Sequence, residues 1–438
     1  MVNKSWRVMK VSELIEGGVL AINDGYRVTN KELGDVGVPF IRGGDIGDGW
    51  IDTNVADHIL PEFHYRIGAK LSQPEDVAFI TKGTVGRVGY LRPGQPTVVF
   101  APQVCYWRVL NREVLDPRFI YYMLRGGEFQ SNLDAVKTHG SMVADYVSLS
   151  DQRQFQLTIP PIEEQKAIAK LLGLLDDKIE LNRSMSETLE ATGRCLFKSW
   201  FVDFDLVRAK VENRRLVDIN QEIIKGFPSS FEESPLGLIP KTWLIKPLDE
   251  VAHFLNGLAL QKFPPTGRDD LPVIKIAELR KGVTQTSGRA NSAIDSKYIV
   301  NDGDILFSWS GSLDVVIWCG GRGALNQHLF KVTSVDYPKW FYFHWIKQHL
   351  PVFQAIAADK ATTMGHIQRH HLHSALVVVP PGNLLASMDK VMMPLIERIV
   401  KGNLESRTVA ELRDYLLPKL LSDKIKVSDA KCEVEQVV

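Results

Sequence analysis

An apolar pattern that returns after 220 positions constrains this chain more than any other feature. Beyond Pro160-Pro161 the first half reads Ile168, Leu172, Leu175, Ile179, Asn182, Ser186, Leu189, Gly193, Leu196. These steps of four and three residues are the seam of a coiled coil. Beyond Pro380-Pro381 the same steps return as Met388, Met392, Leu395, Ile399, Gly402, Ser406, Val409, Arg413, Leu416. The two seams are interrupted at the same places, Asn182/Gly402 and Ser186/Ser406, which marks a duplication rather than two unrelated amphipathic helices. Two such seams most simply pack on each other as long antiparallel helices, and a polar seam position fixes register at some cost in stability. Leu172, Leu175, Ile179 and Leu189 should meet Met392, Leu395, Ile399 and Val409. Each helix covers about 38 residues, roughly 57 Å at 1.5 Å per residue.

What precedes each helix is also repeated. Short apolar runs, Phe155 to Ile159 and Ala375 to Val379, stop at the Pro-Pro pairs, and proline is tolerated at a helix start but not inside one. Further upstream Trp6 corresponds to Trp243, and Pro39-Phe40-Ile41-Arg42 to Pro272-Val273-Ile274-Lys275. The alternating strand Asp76 to Ile80 corresponds to Asp304 to Ser308, each running into a polar turn, Thr81-Lys82-Gly83-Thr84 or Trp309-Ser310-Gly311-Ser312. Gln103 pairs with Gln327, and the amphipathic helix from Pro117 to Tyr122 with that from Pro338 to Phe343. The expected organisation is a globular domain over 1–160, a helix over 161–202, a polar linker over 203–241, a second domain over 242–380, a helix over 381–425 and a tail over 426–438. The fold class is mixed α/β (α+β) with an internal pseudo-twofold duplication.

Composition sets limits. Hydrophobic residues at 45% and charged residues at 24% are globular values, so the chain is neither disordered nor fibrous. Cys105, Cys195, Cys319 and Cys432 stand singly, with no spacing that suggests a disulfide framework or a zinc site. The start MVNKSWRVMK has no signal-peptide core and no apolar stretch approaches the ~20 residues of a membrane span, so a cytoplasmic protein is expected. A net charge of +0 argues against a uniformly basic nucleic-acid surface. Binding to DNA would need basic groups gathered on one face, or a partner that supplies them.

Laid out in this order, the chain resembles the specificity subunit of Type I restriction-modification enzymes over nearly its full length. The resemblance rests on DVAFITKGTVG (Asp76 to Gly86), DILFSWSGS (Asp304 to Ser312), and the helix openings IPPIEEQKAIAKLLGLLDDKI and VPPGNLLASMDKVMMPLIERI. It rests also on the helix exit LFKSWFVDF (Leu196 to Phe204) and the phrase GLIPKTW (Gly237 to Trp243). It implies two target-recognition domains, each reading half of a bipartite DNA site, and paired helices that hold them apart and dock two methylation subunits. Restriction subunits would join the same complex. It implies no cofactor in this chain, with S-adenosylmethionine, ATP and magnesium used by the partner subunits. The second helix lacks the Glu163-Glu164-Gln165 opening of the first, which would weaken or alter docking on that side.

Base edges are discriminated by Arg, Lys, Asn and Gln, and phosphates by Lys, Arg, Ser and backbone amides, so polar turns at strand ends are the candidates. In the first domain these are Arg42 with Gly43-Gly44, then Lys82, Thr84, Arg87 and Gln103; in the second, Lys275, Trp309, Ser310, Ser312, Asn326, Gln327 and His328. The loops before the Pro-Pro pairs add Lys137, Thr138 and His139, and Lys360, Thr362, Thr363 and His366. The competing reading is that the glycines only shape turns among solvated neighbours. His366 and His370, in a run with Arg369, His371 and His373, have the i, i+4 spacing of a helical metal pair. They lack a carboxylate or cysteine partner nearby, so DNA contact or a polar domain edge is the better reading.

No catalytic signature accompanies these turns. The Pro-Pro pairs follow Ile159 and Val379, not the polar residue a methyltransferase loop needs, and no GxxxxGK[ST] phosphate loop occurs. Asp176-Asp177-Lys178 reads as a solvated helix face. The alternative to a specificity subunit is a stand-alone duplicated DNA-binding or architectural protein with no methyltransferase partner.

Overall fold

A computed structural model describes residues 6–47, 49–137, 145–214, 221–267, 269–359 and 365–435. The chain divides into two compact units, Met1–Lys178 with Thr408–Val438, and Ile179–Arg407. Each contains one globular domain and part of both long helices. Those helices, Ile162–Phe201 and Gly382–Leu421, have 40 residues each, about 60 Å.

In the first unit, strand Arg7–Lys10 pairs antiparallel with Gln156–Ile159, which ends at the Pro-Pro pair that opens the first long helix. A four-stranded antiparallel sheet follows in the order Leu20–Asp24, Val104–Val109, Val77–Ile80, Val88–Tyr90. A second sheet holds a parallel pair, Val38–Ile41 beside Val99–Phe100, with Ile41 opposite Phe100. The strand Val77–Ile80, expected to alternate, is buried throughout because both its faces are covered. Ala78 and Ile80, with Tyr106 of the same sheet, pack with Ile41 and Phe100 of the second sheet. On the other side, Phe79 meets Phe129 and Trp107 edge to face at 5.4 and 6.2 Å. The layers are therefore helix, sheet, sheet.

The second unit repeats the plan. Leu244–Pro247 pairs with Leu376–Val379. The antiparallel sheet has the order His253–Asn256, Leu329–Thr333, Ile305–Ser308, Asp314–Ile317. Leu271–Ile274 runs parallel to Gly323–Leu325 with Ile274 opposite Leu325, as in the first copy. The copies differ in the helix that covers the sheet. It is broken at Gly126 in the first, into Pro117–Arg125 and Gly127–Val136, and continuous as Lys339–Asp359 in the second.

Within each unit the seam residues are buried or half-buried as the heptad pattern requires. Leu172, Leu175, Val409 and Leu416 are buried in the first unit, Met388, Met392 and Ile399 in the second, and Ile179, Leu189 and Leu395 are half-buried. The helices run antiparallel. In the first unit Asp176 Oδ1 accepts from Arg413 Nη1 at 2.8 Å, and in the second Asn182 Nδ2 donates to Glu405 Oε2 at 3.0 Å. Gly402 faces Ser186 and Asn182, so the shared interruptions meet across the seam. Asp176 is thus a buried seam charge and not a solvated one. Burial alone would raise its pKa, but Arg413 and Arg125 hold it below the usual carboxylate value. Asp177 does stay exposed, and receives Arg92 and Arg118 at 3.0 and 2.6 Å.

Two further expectations are corrected. The described residues of the stretch 203–241 are folded, not an open linker. Helices Asp205–Val211 and Gln221–Gly226 and the hairpin Phe231–Ser234/Gly237–Pro240 place Phe204, Leu206, Val207, Ile223, Phe227 and Ile239 in one core with Trp243. The tail forms helix Val427–Glu435, burying Ala430 and Val434. The altered helix opening also has an internal consequence. In the first copy Glu164 Oε2 accepts from Trp6 Nε1 at 3.0 Å, and Gln165 donates to the Val114 and Pro160 carbonyls. Leu384 and Leu385 stand there in the second copy, and the buried Trp243 Nε1 has no hydrogen-bond partner among the described residues. Among those residues no helix is long and apolar enough to cross a membrane.

Against the first long helix in the second unit lies His344, 6% exposed, its ring stacked on Phe197 at 5.2 Å and packed over Gly193. Burial, helped by Lys347 and Arg194, pushes its pKa down to about 4. The unfolded imidazole takes up a proton near pH ~6.5, so between that value and about 4 the unfolded state binds more protons and stability rises with pH. Unfolding free energies taken from pH 7 down to 4 should therefore fall, by about 3 kcal/mol at most from this group. The variant His344→Phe should lose that slope. An equal slope in the variant would remove His344 as its cause.

Candidate nucleic-acid interface

The polar turns are held in both units by the same backbone bonds. Gly83 N donates to Asp145 O at 3.2 Å and Val147 N to Thr81 O at 2.9 Å; in the second unit Gly311 N donates to Gly365 O at 2.7 Å and Ile367 N to Trp309 O at 3.0 Å. Gly83 and Gly311 adopt φ of 90° and 65°, a left-handed conformation that glycine accepts without a Cβ penalty. The following strands sharpen the correspondence between copies. Ile80 lies opposite Val104, and Ser308 opposite Leu329. Thr81 N donates to Gln103 O, and Trp309 N to His328 O. Gln103 therefore corresponds to His328, one residue beyond the Gln327 expected from sequence.

In the first unit the Arg42-Gly43-Gly44 turn abuts this edge: a Cβ on Gly43 would lie 3.5 Å from Ile80 Cδ1 and 3.6 Å from Gln103 Cγ. Arg42, Gly43, Gly44, Lys82, Thr84 and Gln103 thus share one end of the sheets, with Lys82 and Thr84 exposed. Arg42 is partly committed, its Nη2 2.7 Å from Asp57 Oδ2. Arg87 turns away from this group. Its Nη1 donates to Ile46 O at 3.0 Å, and it lines a separate cavity of about 390 Å³ with Arg125, Gln130 and Asp414. Lys137 pairs with Asp134 at 2.7 Å. Thr138, His139, Lys360, Thr362 and Thr363 lie outside the described residues.

In the second unit the side chains interlock. Gln327 Nε2 lies 3.3 Å from His328 Nε2, and His328 Nδ1 2.9 Å from Ser310 Oγ. With the Gln327 amide donating, the ring proton sits on Nδ1 and Ser310 accepts it. Trp309 Nε1 donates to Asn256 Oδ1 at 3.0 Å, and its ring lies 5.9 Å from His328 and 6.2 Å from His366. Lys275 is exposed at the neighbouring strand end, and Arg280 Nη2 donates to Ser312 Oγ. Asn326 is buried and accepts from His328 N at 3.3 Å, so it shapes the turn from inside. His366 precedes the helix Arg369–Ser374 and does not share it with His370. Among the described residues no cluster of three or more His, Cys, Asp or Glu could hold a metal.

Sequence reasoning missed two neighbours of these turns. Tyr146 is 52% exposed and bridges to Lys82 as His366 bridges to Ser310, 220 positions later. That offset was the available signal. Asn256 had none, since its strand carries no turn motif.

The sequence profile described as the Type I restriction modification DNA specificity domain matches residues 3–191 and 240–393, most of the chain and both copies. The chain belongs to the Type I restriction-modification specificity family. It is 23% identical to the HindI specificity subunit of Haemophilus influenzae over 72% of this chain and 79% of the relative. It is 22% identical to the MjaIX specificity subunit of Methanocaldococcus jannaschii over 97% and 95%. The crystal structure of a Type I S subunit from M. genitalium shares the fold with a TM-score of 0.51 at 14% identity, covering 96% of each chain. As a Type I specificity subunit the chain is the DNA-recognition part of its system, so the polar turns are the natural surface to probe.

Exposed and buried candidates in this specificity subunit should separate by stability. Lys82→Ala and Lys275→Ala should change unfolding free energy by no more than ~0.5 kcal/mol. Asn326→Ala, which strips a buried acceptor from His328 N, should cost about 1–3 kcal/mol in denaturant unfolding. A neutral Asn326→Ala would mean that this side chain is not part of the frame.

Proposed function

We propose that this specificity subunit reads an asymmetric, bipartite DNA site, one half per globular domain, while its paired helices set the unread spacer and dock two methylation subunits. The complex then methylates adenine in the site and, with restriction subunits, cuts unmodified DNA. S-adenosylmethionine, ATP and magnesium act on the partner subunits, and this chain positions without catalysing. One observation carries the reading. The strand register behind the turns is kept between copies, while the turns themselves differ, Thr81-Lys82-Gly83-Thr84 against Trp309-Ser310-Gly311-Ser312. A repeated frame with different polar tips suits two different base sequences in two half-sites. Helices of about 60 Å also suit half-sites separated by one to two turns of ~34 Å.

The test is a complex of this chain with its methylation partners. Lys82→Ala or Gln103→Ala should weaken binding to one half-site only, by about fivefold to a hundredfold for a lost base contact. Substitutions in the other half-site of the DNA should affect variant and wild type equally. Loss spread evenly over both halves, or methylation that needs no specificity chain, would contradict the reading.

A further inference from the structure

The second domain holds a cavity of about 250 Å³ beside the Trp309 turn. Its walls are aromatic. Trp309 and Phe330 lie 5.8 Å apart at 32°, and His366 presents its ring edge-on to Trp309. Its rim carries Asn256, Gln368 and Arg369, with the Arg369 guanidinium 5.9 Å from the Phe330 ring centre. Asn256 uses its Oδ1 to hold the Trp309 indole, which leaves its amide NH2 as the group turned to a ligand.

Strand register gives the counterparts in the first domain. Phe330 corresponds to Cys105 and Asn256 to Asp24, since Phe79 pairs with Cys105 and Cys105 with Asp24 as Phe307 does with Phe330 and Phe330 with Asn256. Trp309 corresponds to Thr81 and His366 to Tyr146. There a buried network lies behind Cys105. Trp107 Nε1 donates to Gln152 Oε1 at 2.9 Å, and Gln152 Nε2 donates to Cys105 Sγ at 3.4 Å. The side chains that line the opening in the second domain are therefore not those of the first, at the edge where the candidate reading residues gather.

A volume below the ~300–1,000 Å³ of a drug-sized ligand site fits a single planar ring. Bases stacked in a duplex offer a protein only their edges in the grooves, so a slot walled by aromatic faces complements a base whose face has been freed. Asn, Gln and Arg at the rim are the side chains that hydrogen-bond base edges. We propose that this cavity takes one unstacked nucleobase of the half-site read by the second domain, an inference that rests on the DNA-reading role above. Trp309, backed by Phe330, stacks on the base, and Asn256, Gln368 and Arg369 select it.

The experiment uses the complex with its methylation partners and the half-site that Lys275→Ala weakens. 2-Aminopurine is placed singly at or beside each position of that half-site other than the methylated adenine. One position should brighten several-fold on binding. That rise should persist in Trp309→Phe and vanish in Trp309→Ala, with affinity reduced about fivefold to a hundredfold, the loss of one base stack. Arg369→Gln, an exposed rim change, decides the matter if Trp309→Ala does not fold. It should relax the base requirement at that same position. No brightening anywhere, or brightening indifferent to both Trp309→Ala and Arg369→Gln, overturns the role of the cavity while leaving the DNA-reading role intact. A complex that ignores this half-site altogether overturns both.

Discussion

A buried charge pair between antiparallel helices sets the discipline on which the rest of the first unit depends. Asp176 and Arg413 are 5% and 6% exposed and meet at 2.8 Å, with Tyr122 OH donating to the other carboxylate oxygen at 2.7 Å. Replacing such a pair by well-packed apolar residues is often neutral, but separating its members costs about 3–5 kcal/mol, because a desolvated charge is left behind. A helix slipped along its partner would separate them. Register is therefore held by a penalty on every other register more than by a gain in this one. In the second unit a single carboxylate takes that part: Asn182 donates to Glu405, and Gly402 leaves room for Ser186.

The two domains are seated on the helices by different physics. The first uses polar anchors: Tyr122 on Asp176, and Arg118 and Arg92 on Asp177. The second uses aromatic mass, with Phe197 and Phe201 of the helix packed among His344, Trp345, Trp340 and Trp243. Polar latches accompany it, Trp340 Nε1 donating to Asp389 Oδ1 at 2.8 Å and Arg407 donating to both Asp302 oxygens at 2.9 Å, while Trp243 Nε1 goes without the partner that Glu164 gives Trp6. Duplication kept the architecture and let the anchoring chemistry drift. The same separation holds at the turns, where backbone bonds coincide and side chains do not.

How much of this was legible depends on how local each signal is. The seams could be read because a 4-3 alternation repeats within one helix, and the turn glycines because a left-handed conformation selects glycine at the residue itself. The burial of Asp176 could not, since it is decided by Arg413, 237 residues away. Residues 203–241 looked like a linker because Phe204, Phe227 and Ile239 are spaced without helical or strand period, and only Trp243 gathers them into a core. The Gln103 pairing was misplaced by one residue because two glutamines made a tempting match that strand register overrides. Asn256 owes its place to Trp309, a contact between strands that no local pattern announces.

The central claim is that one frame, built twice, presents two different sets of reading residues to DNA. Mapping methylated adenines in a genome that carries this chain and its methylation partners tests it most directly. The account predicts a split motif, with two unlike half-sites around an unread spacer of fixed length. A single contiguous palindrome would contradict it.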